Sequence, residues 1–251
     1  MASENKIDVS GLTNVPETMF VPLYGKAKET RREGGIIKDE KAVEIVNSVN
    51  YDFTRIDRDW KVMLAMAIRT FLFDSILKDL YEKTGGKLVV VNLGAGLDTR
   101  EVRFPDIKWY QLDLPESIAI RKTFFADSKA TLITKSVLDF TWLDDIKEKE
   151  HVLFIAEGLF IYFTEEEVKS ILNHIAAHFT HSYIAFNTIH KRVVGKKGTG
   201  AVDTTKAPFK WGITSPKEVL GWKLPWKERN VFYPLDHFRK RWAGYGGLGM
   251  V

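Results

Sequence analysis

The sequence contains no cysteine among its 251 residues. This absence excludes disulfide bonds, thiolate metal sites and thiol nucleophiles. It also fits a reducing compartment, although an exported protein can lack cysteine as well.

Long hydrophobic runs and an export signal are also absent. The first eleven residues, MASENKIDVSG, are polar and carry no apolar segment of the kind that signal peptides require. The longest apolar runs, such as residues 88–97 (LVVVNLGAGL), are far shorter than the roughly 20 residues of a membrane-spanning helix. We therefore predict a cytoplasmic protein that does not span a membrane.

Charge is abundant but unevenly distributed. Residues 191–241 hold 13 Lys or Arg against 4 Asp or Glu, which gives this segment a charge of +9 within a chain of net charge +4. A basic segment of this kind can attract an acidic substrate or partner, and a solvated surface is the alternative interpretation. The composition, 45% hydrophobic and 28% charged, is typical of a globular protein with a self-sufficient core.

The first third of the chain is predicted to be helical after a mobile tail over residues 1–15. Residues 16–50 are typical of two helices separated by a Gly-Gly pair at 34–35. Residues 57–81 carry apolar side chains at three- and four-residue steps, which predicts a longer helix. A second Gly-Gly pair at 85–86 ends it.

From residue 87 onward, short apolar segments alternate with helical ones. This alternation predicts a parallel α/β sheet with helices on both faces. Thr164 followed by Glu167 predicts a capping box at the start of one helix. Residues 191–210 are typical of a loop. The predicted strands cover residues 87–93, 107–113, 131–136, 151–157 and 183–189, with a last one near 228–233.

The segment VVVNLGAGLDTR (residues 89–100) indicates a nucleotide site. A strand leads into the tight turn Gly94-Ala95-Gly96, where glycines let the backbone approach a ligand. Asp113 ends the next strand, where a carboxylate can accept hydrogen bonds from both ribose hydroxyls of an adenosine. Thr99 occupies the third glycine position of the dinucleotide fingerprint. S-adenosylmethionine (SAM) is therefore favoured over NAD(P), which stays open, as does a turn without any ligand.

Three motifs in order resemble the leucine carboxyl methyltransferase family: VNLGAGLDTREVRF, WYQLDLPESIAIRK and FIAEGLFIYFTEEEV. The resemblance covers roughly residues 16–190. It implies a Rossmann-like class I SAM-dependent methyltransferase sheet with an N-terminal helical cap. We accordingly expect a tail and cap over residues 1–84, and a SAM-binding core with a basic, Trp-rich C-terminal segment over 85–251.

The resemblance also implies a set of cofactor contacts. Arg69 would bind the cofactor's carboxylate, the glycine turn its methionine part and Asp113 its ribose. The exocyclic amine of adenine would face Asp139 or the neighbouring backbone. Each has a structural alternative: Arg69 as a surface residue, Asp139 as a turn cap, Glu157 as an ion-pair partner. The implied SAM-binding residues are Arg69, Gly94, Ala95, Gly96, Asp113, Leu114, Val137, Leu138, Asp139, Glu157 and Gly158.

Two features depart from the family pattern. Many relatives carry a second arginine soon after the first, and here Phe71 takes its place. Class I methyltransferases usually finish with an antiparallel pair of strands, whereas only the strand near 228–233 is predicted here.

The acceptor is expected to be a small molecule. No residue stands out as a general base, which favours a carboxylate acceptor, because a carboxylate is already nucleophilic at neutral pH. From their position on the first helix, Tyr24, Arg31 and Arg32 are candidates for orienting an acidic acceptor.

Other functions are less favoured. No metal site is predicted, since His174, His178 and His181 lack the glutamate of the zinc protease motif. Nucleic acid is an unlikely partner because no binding motif accompanies the basic, Trp-rich segment. A methyltransferase acting on protein or RNA, an NAD(P)-dependent oxidoreductase and a non-catalytic SAM-binding protein remain the alternatives.

Overall fold

The computed structural model describes residues 6–8, 17–57, 59–195, 208–227 and 230–243. Within these ranges helices and strands alternate along most of the chain. The strands are β1 (Ile7–Asp8), β2 (Val49–Asn50), β3 (Val89–Leu93), β4 (Lys108–Asp113), β5 (Thr131–Thr134), β6 (Glu150–Ala156) and β7 (His181–Phe186). The helices are α1 (Phe20–Arg31), α2 (Glu40–Ser48), α3 (Thr54–Asp57), α4 (Trp60–Lys83), α5 (Arg100–Arg103), α6 (Pro115–Phe124), α7 (Glu165–His178), α8 (Lys217–Leu220) and α9 (Arg239–Ala243).

Five strands form one parallel sheet in the order β5-β4-β3-β6-β7. The chain moves outward from β3 to β5 and then returns to place β6 on the other side of β3. In parallel sheets, ligands bind at the carboxyl ends of the strands where the order reverses. That position lies between β3 and β6, and it confirms the predicted Rossmann-like α/β sheet.

Both faces of the sheet are covered, as the apolar run at β3 predicts. Val89, Val91 and Leu93 belong to one buried cluster together with side chains of α7. Val90 belongs to a second cluster with the last turns of α4. Because successive side chains of a strand point to opposite faces, a strand covered on both sides is mostly apolar. The polar exception in β3 is Asn92, whose buried amide donates to Asp98 and Gln111.

Helix α4 joins the sheet to the N-terminal helices. It begins after Asp59, whose side chain accepts a hydrogen bond from the backbone N of Val62 at 3.2 Å. The predicted start at 57 was therefore too early, because Asp57 ends the separate helix α3. The first part of α4 packs with α1 and α2, and Phe73, Leu77 and Leu80 pack on the sheet.

The predicted tail over residues 1–15 is wrong at residues 6–8. Ile7–Asp8 forms a two-residue parallel strand that pairs with Val49–Asn50. The backbone hydrogen bonds of that pairing and the contacts of Ile7 with the N-terminal core hold this segment in place. The rest of residues 1–15 lies outside the described residues.

The described part of the C-terminal segment folds onto the chain without adding a strand to the sheet. The strand predicted near 228–233 is absent from residues 230–233, and 228–229 lie outside the described residues. Trp211 is buried in the sheet cluster and tilted against Trp222 at 5.7 Å between ring centroids. Of the loop predicted over 191–210, the ends are described, and Lys191–Val193 is a single 3₁₀ turn.

The last described segment is tied to the N-terminal helices. Both guanidinium nitrogens Nη1 and Nη2 of Arg241 donate to the carboxylate of Glu29, at 2.8 and 3.0 Å. Trp242 lies against Trp60, and Phe238 meets the ring of Phe71 edge-on. Phe71, where many relatives have an arginine, thus packs against this segment. None of the helices in the described ranges is long and apolar enough to cross a membrane.

The capping box at α7 gives a direct test of the local structure. The backbone N of Glu167 donates to Thr164 Oγ1 at 3.2 Å, and the backbone N of Thr164 donates to Glu167 Oε2 at 2.7 Å. We expect Thr164→Ala to lower the free energy of unfolding in urea by about 1 kcal/mol, because one helix N–H loses its acceptor. Thr164→Ser keeps the hydroxyl and should unfold like the wild type. Equal stability of all three proteins would contradict the assignment.

Candidate functional site

The glycine turn follows β3 and bends toward β4. Gly94 and Gly96 have φ of 67° and 45°, which glycine adopts without a steric penalty. A Cβ on Gly94 would lie 2.8 Å from Leu159 Cδ1. The backbone N atoms of Gly94 and Ala95 both donate to the carbonyl of Leu112, at 2.8 and 3.0 Å. The turn is therefore fixed to the end of the neighbouring strand.

Asp113 meets this turn from the end of β4. Its Oδ2 accepts a hydrogen bond from the backbone N of Gly96 at 2.7 Å, and its Oδ1 accepts one from Leu114 at 2.7 Å. Burial raises the pKa of Asp113 above its ordinary value, against the lowering effect of these backbone donors. The two features that indicated a nucleotide site are thus joined by a direct hydrogen bond.

Arg69 and Glu157 meet at the end of β6, and their pairing rules out the surface alternative for Arg69. Arg69 Nε donates to Glu157 Oε1 at 2.6 Å. This contact leaves Nη1 and Nη2 of Arg69 directed toward Gly158, where an added Cβ would lie 3.7 Å from each. A Cβ at 158 would meet the guanidinium at ordinary van der Waals distance, but the φ of 70° at this position favours glycine.

The other carboxylate oxygen of Glu157 is also engaged. Arg100 Nη2 lies 2.6 Å from Glu157 Oε2. Burial alone would raise the pKa of Glu157, but the positive charges of Arg100 and Arg69 hold it below its ordinary value. Glu157 therefore stays ionised and fixes the orientation of Arg69.

Arg100, which sequence reasoning did not single out, is the most connected charge of the region. Its side chain is 2% exposed and pairs with Asp74 at 2.8 Å, Asp98 at 2.7 Å and Glu157 at 2.6 Å. These three carboxylates come from α4, the glycine turn and the end of β6. Arg103, one turn further along, also contacts Asp74. The sequence feature that could have indicated this role is the position of Arg100 shortly after the glycine turn.

Thr99, at the third glycine position of the fingerprint, has a partner from the N-terminal helices. Lys26 Nζ on α1 donates to Thr99 Oγ1 at 2.8 Å. Thr99 Oγ1 in turn donates to Asp39 Oδ2 at 2.5 Å, and Asp39 Oδ1 caps α2 through the backbone N of Ala42. This residue is thus a junction between the turn and two helices.

Arg121 holds the same turn from the side of α6. Its Nη1 donates to the backbone carbonyls of Gly96 and Asp98 at 3.0 and 2.8 Å, and its Nη2 lies 2.8 Å from Glu101. The side chain is 1% exposed. Nothing in the sequence distinguishes it from the other arginines.

The segment after β5 is built as a short turn. Asp139 Oδ1 accepts hydrogen bonds from the backbone N and hydroxyl of Thr141, and these bonds lower the pKa of Asp139. The carbonyl of Val137 accepts one from the indole of Trp142 at 3.0 Å. Leu138 is 36% exposed, and Leu114 on the neighbouring strand end is 43% exposed. Two open apolar side chains therefore flank Asp113 and Asp139.

Tyr24, Arg31 and Arg32 are not brought to the glycine turn. Tyr24 stacks on Phe53 at 4.8 Å and bonds to Asp57, and Arg31 Nη2 donates to Asn47 at 2.6 Å. Both lie on the side of α1 opposite Lys26, because helix positions advance by about 100° per residue. Arg32 is the exposed residue that directly follows α1. The structure thus places these residues away from the glycine turn, and their role in acceptor binding stays a prediction.

Tyr162 was missed and lies just beyond Glu157 and Gly158. Burial raises the pKa of Tyr162, while the charge of Arg69 acts to lower it. Its ring is tilted against Phe209 at 5.7 Å between centroids. Its position in the motif EGLFIY, shortly after Glu157 and Gly158, could have indicated that Tyr162 lies near the site.

The histidines of α7 are engaged in local contacts. His174 stacks on Phe140 at 3.6 Å between ring centroids, and His178 Nδ1 contacts the carbonyl of His174. Among the described residues, no group of three or more His, Asp or Glu side chains is arranged to hold a metal ion.

Several methyltransferases are similar to this chain. The tetracenomycin polyketide synthesis O-methyltransferase TcmP of Streptomyces glaucescens is 28% identical over 213 residues, covering 83% of this chain and 78% of that protein. The S-adenosyl-L-methionine-dependent methyltransferase dpfgK of Gibberella zeae is 23% identical over 270 residues, covering 94% and 88%. A solved O-methyltransferase family protein from Burkholderia thailandensis aligns with a TM-score of 0.43 and 14% identity, covering 68% and 54%.

The model of the leucine carboxyl methyltransferase family matches residues 20–176. The match includes the glycine turn, Asp113, Arg69 and Glu157, and it spans more than half of the chain. The sheet order, the turn and the family match all agree. This chain therefore belongs to the leucine carboxyl methyltransferase family and is a SAM-dependent methyltransferase with a class I fold.

Proposed function

We propose that this chain methylates an oxygen of a small molecule, and that this oxygen belongs to a carboxylate. The observation that carries the cofactor site is the hydrogen bond between Asp113 and Gly96 at the carboxyl end of the sheet. The named relatives include one whose name places it in polyketide synthesis. A polyketide acid is accordingly the acceptor class to test first.

The crevice offers SAM a partner for each of its parts. The glycine turn borders the methionine part, and the Nη1 and Nη2 nitrogens of Arg69 suit its carboxylate. Asp113 suits the ribose hydroxyls. We expect adenine to contact the exposed side chains of Leu114 and Leu138. Its amine would face Asp139, because the carbonyl of Val137 already accepts a hydrogen bond from Trp142.

The same turn is poorly suited to a dinucleotide. A pyrophosphate needs the N-terminus of a helix, and α5 has only four residues. Asp98 places a carboxylate there, whose pKa is held low because the charges of Arg100 and Lys26 outweigh its burial. Arg100 and Lys26, the cations nearest this point, are already engaged with that carboxylate and are not available to a pyrophosphate.

In the proposed reaction, the protein's task is to align the acceptor and exclude water. SAM, when bound, supplies a methyl group on a positively charged sulfur. Holding two reactants in line can contribute roughly 7–11 kcal/mol toward lowering the barrier. A carboxylate needs no general base, and we expect the hydroxyl of Tyr162, which feels the charge of Arg69, to donate to it.

We further propose that residues 1–84 act as the cap and 85–251 as the core. The N-terminal helices reach the glycine turn through Lys26, and α4 contributes to both parts. Trp211 of the basic segment is only 3% exposed, so this tryptophan is unavailable for stacking on a nucleic-acid base.

Cofactor binding is tested by calorimetric titration with SAM, S-adenosylhomocysteine and NADH. We expect micromolar binding of the first two and none of NADH. Asp113→Asn should weaken SAM binding by about a hundredfold, since two charge-assisted hydrogen bonds are lost. Asp127→Asn, at an exposed turn, is the matched control. Binding of NADH instead would overturn the proposal.

The affinity for SAM should also depend on pH through Asp113. Only the ionised carboxylate accepts from both hydroxyls, so the Kd for SAM should rise by about tenfold per pH unit below the pKa of Asp113. Because burial raises this pKa, the loss begins at a higher pH than for an ordinary aspartate. Asp98 and Glu157 have lowered pKa values and stay ionised there. An Asp113→Asn protein with the same pH profile would contradict the assignment.

Acceptor binding is tested at Tyr162, after a screen of polyketide and other small carboxylic acids for S-adenosylhomocysteine formation. With the best acceptor, Tyr162→Phe should raise its KM by about tenfold, because a hydrogen bond to a charged group is lost. The Kd for SAM should not change. Tyr233→Phe, at a side chain 56% exposed, serves as the control. An unchanged KM for the acceptor would exclude Tyr162 from acceptor binding.

A further inference from the structure

The first N-terminal helix contacts the glycine turn through a buried cation. Lys26 is 4% exposed, although it lies on a helix whose neighbouring lysine, Lys28, is open to solvent. Its Nζ lies 2.8 Å from Thr99 Oγ1, 3.8 Å from Asp39 Oδ2 and 3.9 Å from Asp98 Oδ1. The ammonium thus reaches two consecutive residues of the turn and the cap of α2.

A lysine in this position is costly unless its partners compensate for lost water. Burial lowers the pKa of Lys26, and the charges of Asp39 and Asp98 act in the opposite direction. Replacing the ammonium with an apolar group would leave these carboxylates with less positive charge around them. Asp98 would keep its contacts with Arg100 and Asn92, but the Thr99 hydroxyl would lose the ammonium that donates to it. The side of the turn that faces α1 would then be held less firmly.

The turn is held from two sides. Arg121 of the core fixes its backbone through the carbonyls of Gly96 and Asp98. Lys26 of α1 fixes its side chains at Asp98 and Thr99. The contact with Arg121 does not involve α1, whereas the contact with Lys26 exists only when α1 is in place.

Lys26 is itself well positioned within α1. Thr30, one turn later, donates its hydroxyl to the carbonyl of Lys26 and accepts a hydrogen bond from the backbone N of Asp39. Glu29 is held by Arg241. A displacement of α1 would therefore be transmitted to the turn through the lysine.

We propose that Lys26 is a positioning residue for the cofactor turn, so that the affinity for SAM depends on the seating of the first cap helix. This inference rests on the proposed function only in taking the turn as the SAM site. A purely structural role would lower stability without changing binding by the folded protein.

The test compares Lys26→Met, Lys26→Arg and the matched control Lys28→Met. Lys28 lies on the same helix and pairs with Asp57 at 2.5 Å in an exposed contact, which contributes little. All proteins are titrated with SAM at a temperature where circular dichroism shows each to be fully folded. We expect Lys26→Met to raise the Kd and KM for SAM by about tenfold. Lys26→Arg should recover part of the loss, and Lys28→Met should match the wild type.

The kcat and the KM for the acceptor should stay within about twofold in Lys26→Met. If Lys26→Met does not fold, Thr99→Val replaces it, since it removes the bridging hydroxyl at nearly constant volume. An unchanged Kd for SAM in folded Lys26→Met, or in Thr99→Val when that variant takes its place, would overturn the inference. If the wild type itself fails to bind SAM, the proposed function fails instead, so the two failures are distinguishable.

Discussion

The site depends on the burial of one guanidinium group, that of Arg100. Carboxylates from α4, the glycine turn and the end of β6 surround it at 2.6 to 2.8 Å. Burial alone would lower the pKa of Arg100, but these three charges raise it well above its ordinary value. Arg100 therefore pairs at once with carboxylates from three separate parts of the chain. Elements that are far apart in sequence are therefore required to meet at one point.

Arg100 is part of a larger network of ion pairs, in which acidic and basic side chains are equal in number. Four acidic and four basic side chains are linked in pairs around the turn: Asp39, Asp74, Asp98 and Glu157 with Lys26, Arg69, Arg100 and Arg103. Buried ion pairs of this kind contribute little net stability, since their desolvation offsets their attraction. Their effect here is geometric, because each charge has few positions that satisfy its partners. The orientation of Arg69 by Glu157 is one result.

Local features were well predicted from the sequence, because their causes lie within a few residues. The five strands of the sheet, the glycine turn and the Thr164–Glu167 capping box each depend on neighbouring side chains. Asp113 could be placed because the end of a strand follows from its length. Asp139 was ambiguous, since a turn cap and an adenine contact require the same residue type. The strand near 228–233 was predicted as one member of the antiparallel pair that usually ends the class I fold, and no partner strand could be assigned to it.

Contacts between residues far apart in the sequence could not be predicted, because no local sequence pattern indicates them. Lys26 is typical of a solvated helix residue until Thr99, 73 positions later, is placed beside it. The same holds for Arg121, whose acceptors are backbone carbonyls present in every turn. Likewise, no local pattern indicated that Tyr24 would contact Phe53 and Asp57, or that Arg31 would contact Asn47.

The bidentate contact between Glu29 and Arg241 joins residues 212 positions apart. During synthesis the chain emerges from its N-terminus, and the five strands of the sheet are complete before Arg241 has been added. Helix α1 can therefore make its contact with Arg241 only after the strands of the core have been synthesised. While residues 187–241 are being synthesised, the sheet can already form although its helical cover is not yet secured.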